Sequence, residues 1–399
     1  MKYVVILGDG MADYRQSFLD NKTPLMVANK PFIDGLAKVS EVGLAKTVPC
    51  SMKPGSDVAN LSVLGYNPKE CYSGRSPLEA ASIGIALKDT DITARANLVT
   101  VSMEENYADK TMIDYSAGEI STAEAKELIE YLAKELNNEK YKLYAGISYR
   151  HCMVIDNGSL MGDLTPPHDI TGKPIKDHLP TSEGGKELLE IMKKSHELLK
   201  DHPVNQKRIA LGKNPANSLW FWGDGTKPNL QNYYEKFGIN GGIISAVDLL
   251  KGIGKLAGMR VIEVEGATGN YDTNFSGKAS ACLENLKDLD FVYLHMEAPD
   301  ECGHHGDTKN KIYSIEQIDK VVETIVCGLK KMGEDFKVLI APDHPTPLSI
   351  MTHCSDPVPY LIYDSTKDIK GVDSYDEENA KNADNYVEEG YTLISKLFG

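Results

Sequence analysis

Carboxylates and histidines are concentrated late in this sequence, at spacings that suit metal coordination. Asp300 and His304 are four residues apart, which places both side chains on one face if a helical turn begins there. Asp343 and His344 are adjacent, so their side chains diverge and can serve two different ions, and His353 follows them. Oxygen and imidazole ligands together suit Mn²⁺ or Zn²⁺, and Mg²⁺ is a third candidate that fits the histidine-rich position less well.

Two polar residues near the start of the chain complete a candidate site. Asp9 lies in a Gly-Asp-Gly sequence, and Ser56 follows a Pro-Gly pair. Two divalent ions roughly 3.5–4 Å apart can clamp the attacking and the leaving oxygen of an in-line displacement. Serine is a weak nucleophile at neutral pH, and metal coordination is one way to activate it. The set therefore predicts a phosphoryl-transfer site with Ser56 at its centre.

Each of these features alone has a simpler explanation, because an Asp-His pair is commonly a helix cap and Gly-Ser is commonly a turn. Their shared position favours the site. Apolar runs at residues 3–7, 291–296 and 336–341 each end just before candidate ligands, and such runs are typical of buried strands in a parallel sheet. Ligands in open α/β sheets collect beyond the carboxyl ends of the strands, where these residues are expected.

Amphipathic helical segments separate the predicted strands. A capping-box pattern at Ser121 and Glu124 precedes one such segment, and a similar pattern at residues 314–317 predicts the start of another. A third helix is predicted over residues 186–199. Strands that alternate with helices indicate an α/β fold.

The middle of the chain differs in composition from its two ends. Residues 100–238 hold few candidate ligands and many Gly, Pro and Tyr turns. A length of 399 residues also suggests two domains. We therefore predict a discontinuous catalytic domain of residues 1–99 and 239–399, with an inserted α+β domain over 100–238.

Composition narrows the classes of partner. A formal net charge of -15 argues against nucleic acid and anionic membrane, because both require a basic surface. Seven cysteines without a CxxC pair suit a reducing compartment. The sequence holds no apolar run of transmembrane length. A cytoplasmic protein is expected, and its oligomeric state is left open.

The sequence contains a series of short motifs: GDGM at 8–11, KPGSD at 53–57, LGYNP at 64–68, GRSPLEA at 74–80, EAPDE at 297–301, GH at 303–304, DHPTP at 343–347 and HCSDPVP at 353–359. In this order they resemble the motifs of the archaeal-type 2,3-bisphosphoglycerate-independent phosphoglycerate mutases, a family of the alkaline phosphatase superfamily. The resemblance covers nearly the whole chain. It implies an alkaline-phosphatase-like α/β fold, with a mostly parallel sheet, helices on both faces and an inserted substrate-capping domain.

The resemblance also implies a role for each candidate. Ser56 would take the phosphoryl group of 3-phosphoglycerate and return it to the 2-hydroxyl, with two divalent ions as cofactors and no 2,3-bisphosphoglycerate. Arginines are expected to bind this small phosphorylated metabolite, because the guanidinium fork matches both phosphate and carboxylate. One ion would be held by Asp300, His304 and His353, and the other by Asp9, Ser56, Asp343 and His344; the candidate arginines are Arg75, Arg95 and Arg150.

Two departures from the family pattern put the substrate in question. Residues 114–119 (DYSAGE) contain no arginine where mutases of this type carry an arginine-rich stretch, and Pro345 stands where a serine is usual. Together with residues 214–218 (NPANS), these changes resemble a bacterial subgroup proposed to act as a homoserine kinase. A mutase is the leading hypothesis. The alternatives are a homoserine kinase-like phosphotransferase, a metal-dependent phosphatase and a non-catalytic metal-binding protein.

Overall fold

The computed structural model describes residues 1–399, which form thirteen β-strands and fifteen α-helices. The strands are β1 (Lys2–Gly8), β2 (Glu41–Ala45), β3 (Ile92–Val101), β4 (Met112–Asp114), β5 (Tyr141–Ile147), β6 (Arg150–Ile155), β7 (Ser218–Thr226), β8 (Gly241–Ile244), β9 (Arg260–Ile262), β10 (Phe291–Met296), β11 (Phe336–Ala341), β12 (Val358–Asp364) and β13 (Tyr386–Val387). The helices are α1 (Pro24–Val27), α2 (Pro31–Ala37), α3 (Ser56–Val63), α4 (Pro68–Cys71), α5 (Ser76–Ser82), α6 (Thr122–Leu136), α7 (Glu183–Leu199), α8 (Pro203–Ala210), α9 (Tyr233–Phe237), α10 (Asp248–Leu256), α11 (Phe275–Asn285), α12 (Ala298–His304), α13 (Thr308–Met332), α14 (Glu377–Asn382) and α15 (Leu393–Phe398).

The chain divides into two compact units. The first unit comprises Met1–Tyr72 and Asn229–Gly399, and the second is Ser73–Pro228. Both boundaries between the units lie earlier in the chain than the predicted ones, which fall after residues 99 and 238. The early part of the second unit includes β3, which pairs with β6 and β7. In the first unit, Tyr233 of α9 stacks on Phe291 of β10, with ring centroids 5.5 Å apart.

The first unit is built on an eight-stranded sheet in the order β13-β2-β12-β11-β1-β10-β8-β9. Only β12 runs against the others, because it pairs antiparallel with both β11 and β2. The three predicted strands are β1, β10 and β11, and they lie side by side at the centre, with Tyr3 opposite both Phe291 and Lys337. The predicted mostly parallel sheet is confirmed.

Both faces of this sheet are covered by helices. Val4 and Ile6 pack in one cluster with Ile318 of α13. On the opposite face, the ring of Tyr3 lies 5.1 Å from that of Phe398 in α15, in an edge-to-face arrangement. Burial from two sides explains why the central strands are mostly apolar and do not alternate between apolar and polar residues.

The second unit is an antiparallel sheet with helices packed on it. Strands β5, β6, β3 and β7 lie in that order, and β4 pairs with the end of β3. Helices α6 and α7 close its core, in which Leu128 and Leu188 pack with Trp220 of β7. This arrangement is an α+β unit, in contrast to the parallel sheet of the first.

Two helix starts illustrate what capping patterns predict. Ser121 caps α6, because its hydroxyl accepts the backbone N–H of Glu124 and donates to the carboxylate of the same residue. The start predicted at residues 314–317 is wrong: α13 begins six residues earlier, at Thr308, after Asp307 caps it through the N–H of Asn310. None of the helices is both long enough and apolar enough to cross a membrane.

Candidate metal centre

The candidate ligands of the first unit gather beyond the carboxyl ends of three adjacent strands. Asp9 follows β1, Asp300 and His304 lie on α12 after β10, and Asp343 and His344 follow β11. Because β1, β10 and β11 are parallel neighbours, their ends meet at one edge of the sheet. Residues that are far apart in the sequence are thereby brought into one cluster.

The first group in this cluster is Asp300, His304 and His353. The carboxylate of Asp300 lies 3.2 Å from Nε2 of His304 and 3.5 Å from Nε2 of His353. The two Nε2 atoms are 2.9 Å apart. At this distance the two nitrogens cannot both carry a proton: either one donates its N–H to the other, or both bind one metal ion.

The pKa values of Asp300 and His304 show that this group favours bound positive charge. Burial opposes ionisation of Asp300, yet its hydrogen bonds with His304 and His353 outweigh that effect and hold the pKa of the carboxyl well below its usual range. The hydrogen bond to Asp300 raises the pKa of His304 to about 9 although burial opposes it. A divalent cation bound here would replace the proton, since metal ligation requires deprotonated donors.

The second group is Asp9, Asp300 and His344, whose ligand atoms lie within 4.8 Å of one another. Oδ1 of Asp9 is 3.6 Å from Nε2 of His344 and has no hydrogen-bond partner. Burial, together with repulsion by Asp343 and Asp300, raises the pKa of Asp9 well above its usual range. A buried carboxylate oxygen without a donor fits a metal ligand, so these residues suit the implied ions.

Asp343 is held differently from the other candidate ligands. Its Oδ1 accepts the backbone N–H groups of Gly10 and His344, at 3.2 and 2.8 Å. Its Oδ2 accepts from the side chain of Asn60 at 2.8 Å and lies 3.3 Å from Nε2 of His344. Asp300, by contrast, belongs to both groups of potential ligands. The role of Asp343 as a ligand stays a prediction.

Ser56 is the first residue of α3, and its hydroxyl faces the cluster. Its Oγ lies 3.2 Å from Nε2 of His344. Gly55 before it is extended, with φ of -178°, and serves as the N-cap position. The positive end of the helix dipole favours an anionic oxygen or phosphate at this position.

His295 lies in direct contact with the cluster, although the sequence analysis did not select it. Its Nε2 is 2.7 Å from Oδ2 of Asp9, and its Nδ1 is 3.1 Å from Oγ of Ser245. Burial lowers the pKa of His295 to about 3. Thr346 is a second such residue, since its hydroxyl donates to Asp300. In the structure His295 lies near the end of β10, opposite Leu7 of β1, and this pairing could not be read from the sequence.

The three predicted arginines lie in the second unit, where the half-buried carboxylate of Glu79 pairs with two of them. Glu79 is 3.0 Å from Nε of Arg75 and 2.9 Å from Nε of Arg95. Burial opposes ionisation of Glu79, but Arg95, Arg75 and Arg150 together lower its pKa. The guanidinium of Arg95 also stacks on the ring of Trp222, 4.2 Å from its centroid. Substrate binding by these arginines stays a prediction.

The segment that lacks arginines is a turn held by other groups. Asp114 accepts the backbone N–H groups of Ser116 and Gly118, at 2.8 and 2.6 Å. The buried Arg208 of α8 donates to the carbonyl of Ala117 at 2.6 Å. An arginine from a distant part of the sequence therefore contacts this turn, through its backbone.

Comparison with known proteins identifies the family. A family model described as 2,3-bisphosphoglycerate-independent phosphoglycerate mutase matches residues 37–205. A protein of this name from Methanothrix thermoacetophila is 48% identical over 100% of this chain and 99% of its own. Another, from Methanosarcina barkeri, is 50% identical over 96% of this chain and 95% of its own. This chain belongs to the 2,3-bisphosphoglycerate-independent phosphoglycerate mutase family.

Solved structures extend the likeness to the fold of these mutases. A Pyrococcus horikoshii protein matches with a TM-score of 0.81 and 30% identity, over 99% of this chain and 96% of its own. A cofactor-independent phosphoglycerate mutase from Thermoplasma acidophilum matches with a TM-score of 0.66 and 26% identity, over 100% of this chain and 99% of its own. The predicted resemblance to this mutase family is confirmed.

Proposed function

We propose that this protein interconverts 3-phosphoglycerate and 2-phosphoglycerate through a phosphoserine at Ser56, with divalent metal ions and without 2,3-bisphosphoglycerate. The observation that carries the proposal is the position of the Ser56 hydroxyl, 3.2 Å from His344 at the edge of the carboxylate and imidazole cluster. The names of the relatives from Methanothrix thermoacetophila and Methanosarcina barkeri support this substrate.

The donor set of the cluster favours Mn²⁺ or Zn²⁺ as the ions, because nitrogen and carboxylate ligands occur together. Ions bound there would polarise phosphoryl oxygens and favour the alkoxide form of the serine. We assign Asp300, His304 and His353 to one ion, and Asp9, Ser56, Asp343 and His344 to the other.

The residues of this chain would carry the phosphoryl group in two steps. Oγ of Ser56 forms a bond to phosphorus as the bond from phosphorus to the 3-oxygen breaks, and the proton lost by Ser56 is balanced by the proton gained at that oxygen. Glycerate then turns in the site. Its 2-hydroxyl attacks the phosphoserine, the bond from phosphorus to Oγ breaks, and Ser56 regains a proton.

We propose that Arg75, Arg95 and Arg150 recognise the phosphate and the carboxylate of the substrate. In a chain with a net charge of -15 they supply local positive charge, and Glu79 orients two of them. The second unit would act as a substrate-capping domain, which keeps water from the phosphoserine. The reaction belongs to glycolysis, so we place the protein in the cytoplasm.

The test is conversion of 3-phosphoglycerate by the Mn²⁺-loaded protein and its Ser56→Ala variant. The variant is expected to lose turnover by roughly 10⁴-fold or more, as for other serine nucleophiles, while most of the metal remains bound. Ser62→Ala, in the same helix, is the matched control and should retain turnover.

Three results would contradict the proposal. If the wild-type protein forms no 2-phosphoglycerate, the mutase assignment fails, and phosphorylation of homoserine by ATP becomes the next assay. If phosphate release from aryl phosphates outpaces transfer, the protein is a phosphatase. Near wild-type turnover of Ser56→Ala would remove the nucleophile role.

A further inference from the structure

Asn60 lies one helical turn after Ser56 in α3, and its side chain is fully buried. The Nδ2 amide donates to the backbone carbonyl of Ser56 at 2.8 Å and to Oδ2 of Asp343 at 2.8 Å. Its Oδ1 accepts from the hydroxyl of Tyr293 at 2.6 Å. One side chain thus contacts the proposed nucleophile and a proposed metal ligand together.

These partners fix the orientation of the amide. A carbonyl and a carboxylate can only accept, so the NH₂ group of Asn60 must face Ser56 and Asp343. The oxygen of the amide then faces Tyr293, whose hydroxyl is the donor. Tyr293 lies within β10 and Asp343 follows β11, so Asn60 joins the helix of Ser56 to one central strand and to the loop after another.

Local folding preferences do not explain an asparagine at this position. Asparagine is a poorer helix former than alanine or leucine, and a buried amide is costly unless it is hydrogen-bonded. The residues directly before and after Asn60 in α3, Ala59 and Leu61, are buried and apolar. The polar side chain at Asn60 is therefore accounted for by the groups it connects rather than by the helix.

We propose that Asn60 is a positioning residue that fixes Ser56 and Asp343 relative to each other, with Tyr293 orienting its amide. Loss of the amide would remove its hydrogen bond to Oδ2 of Asp343 and would free the first turn of α3 to shift. Groups that orient metal ligands typically change metal affinity by 10- to 100-fold when they are removed. The claim about turnover rests on the proposed function, whereas the claim about metal affinity does not.

Three variants separate the contribution of the Asn60 amide to metal binding from that of the Tyr293 hydroxyl: Asn60→Ala, Asn60→Asp and Tyr293→Phe. Asn60→Asp keeps the shape of the side chain but replaces both donors by an acceptor that faces Asp343. Mn²⁺ affinity of the metal-stripped full chain, measured by titration calorimetry, should fall about 10- to 100-fold for both Asn60 variants. It should fall less for Tyr293→Phe, which removes one oxygen and leaves Asn60 in place.

Asn205 offers a matched control in the second unit. It is equally buried, and its Nδ2 donates to the carbonyls of Leu199 and Ala216 while its Oδ1 accepts from the N–H of Ala216, all within 2.8–2.9 Å. Asn205→Ala should lower the free energy of unfolding, as Asn60→Ala does, yet leave Mn²⁺ affinity and turnover unchanged. A purely structural role of Asn60 would give the same result for both residues.

Each outcome decides the proposal. Wild-type Mn²⁺ affinity in the Asn60 variants, or an equal loss of affinity in Asn205→Ala, overturns it. A reduced kcat with a nearly unchanged KM supports it, because the substrate still binds while the nucleophile is misplaced. If Asn60→Ala does not fold, Tyr293→Phe decides in its place, and wild-type affinity there overturns the claim. Should the wild-type protein bind Mn²⁺ without mutase activity, only the proposed function fails.

Discussion

His151 is a buried residue of the second unit that has no part in the proposed chemistry. Its Nδ1 accepts the backbone N–H of Gly146 at 3.0 Å, and its Nε2 has no hydrogen-bond partner. Burial lowers the pKa of this imidazole to about 3. The unfolded chain binds a proton here near pH 6.5, and the folded chain does not. Stability is therefore present above pH 6.5 and is lost as pH falls from there towards about 3.

Replacing His151 by asparagine should remove this pH dependence. The amide oxygen can accept from Gly146 in place of Nδ1, and the group no longer titrates. Between about pH 7 and about pH 5, the wild-type chain should lose on the order of 2 kcal/mol of unfolding free energy through this residue, and His151→Asn should be spared that loss. Urea unfolding followed by tryptophan fluorescence reports on the correct unit, because Trp220 and Trp222 both lie in β7. Equal pH dependence in the two chains would contradict the assignment.

Individual ligands were more predictable than the residues that hold them. The spacing of Asp300 and His304 indicates a shared helical face, and both lie on α12. His295 and Asn60 give no such local signal, because their partners depend on which strands become neighbours. Arg208 likewise contacts Ala117 only after α8 has packed on the turn. Residue type and spacing predict which side chains can bind a metal ion, whereas the hydrogen-bond partners of those side chains follow from tertiary packing.

The loop after β1 requires a glycine for a geometric reason. Gly10 has a φ of +60°, a left-handed backbone conformation that residues with a side chain rarely adopt. A Cβ at this position would lie 2.6 Å from Oδ1 of Asp300 and 2.7 Å from its Cα. The close approach also lets the N–H of Gly10 reach Asp343. The loop can bring Asp9 beside Asp300 only if position 10 has no side chain.

Gly10→Ala should therefore destabilise the protein by more than about 1 kcal/mol and weaken Mn²⁺ binding, because Asp300 has to move. Gly35→Ala is the matched control: it lies within α2, with nothing within 4 Å of the added Cβ. That change should raise the free energy of unfolding by about 0.5–1 kcal/mol, since alanine is a better helix former than glycine. Urea unfolding and metal titration measure both effects, and a wild-type result for Gly10→Ala would refute the steric argument.

Strands that are buried on both faces could be recognised from the sequence, but the sheet to which each strand belongs could not. The runs that form β1, β10 and β11 are mostly apolar, as expected for central parallel strands. All ten residues of β3 are buried as well, yet this strand belongs to the antiparallel sheet of the second unit. Burial pattern does not identify the partner strand, and the predicted domain boundary after residue 99 was placed without that information.

For the molecule as a whole, metal content and stability should change together. The proposed site assigns Asp300, His304 and His353 to one ion and a separate set of residues to the other, so it predicts two ions per chain by elemental analysis of the active protein. Chelation should lower the unfolding temperature, because ions at 100 times their Kd contribute about 2.7 kcal/mol per site. A fully active preparation with one ion per chain would refute the two-ion assignment.

The central place of β1 has a consequence for how the protein is made. Residues 2–8 are synthesised long before their neighbours β10 and β11, which begin at Phe291 and Phe336. Until those strands are synthesised, an apolar segment stays exposed with both edges unpaired. We expect the nascent chain to depend on chaperones through most of translation, and chains truncated before Phe336 to aggregate rather than accumulate as partly folded protein.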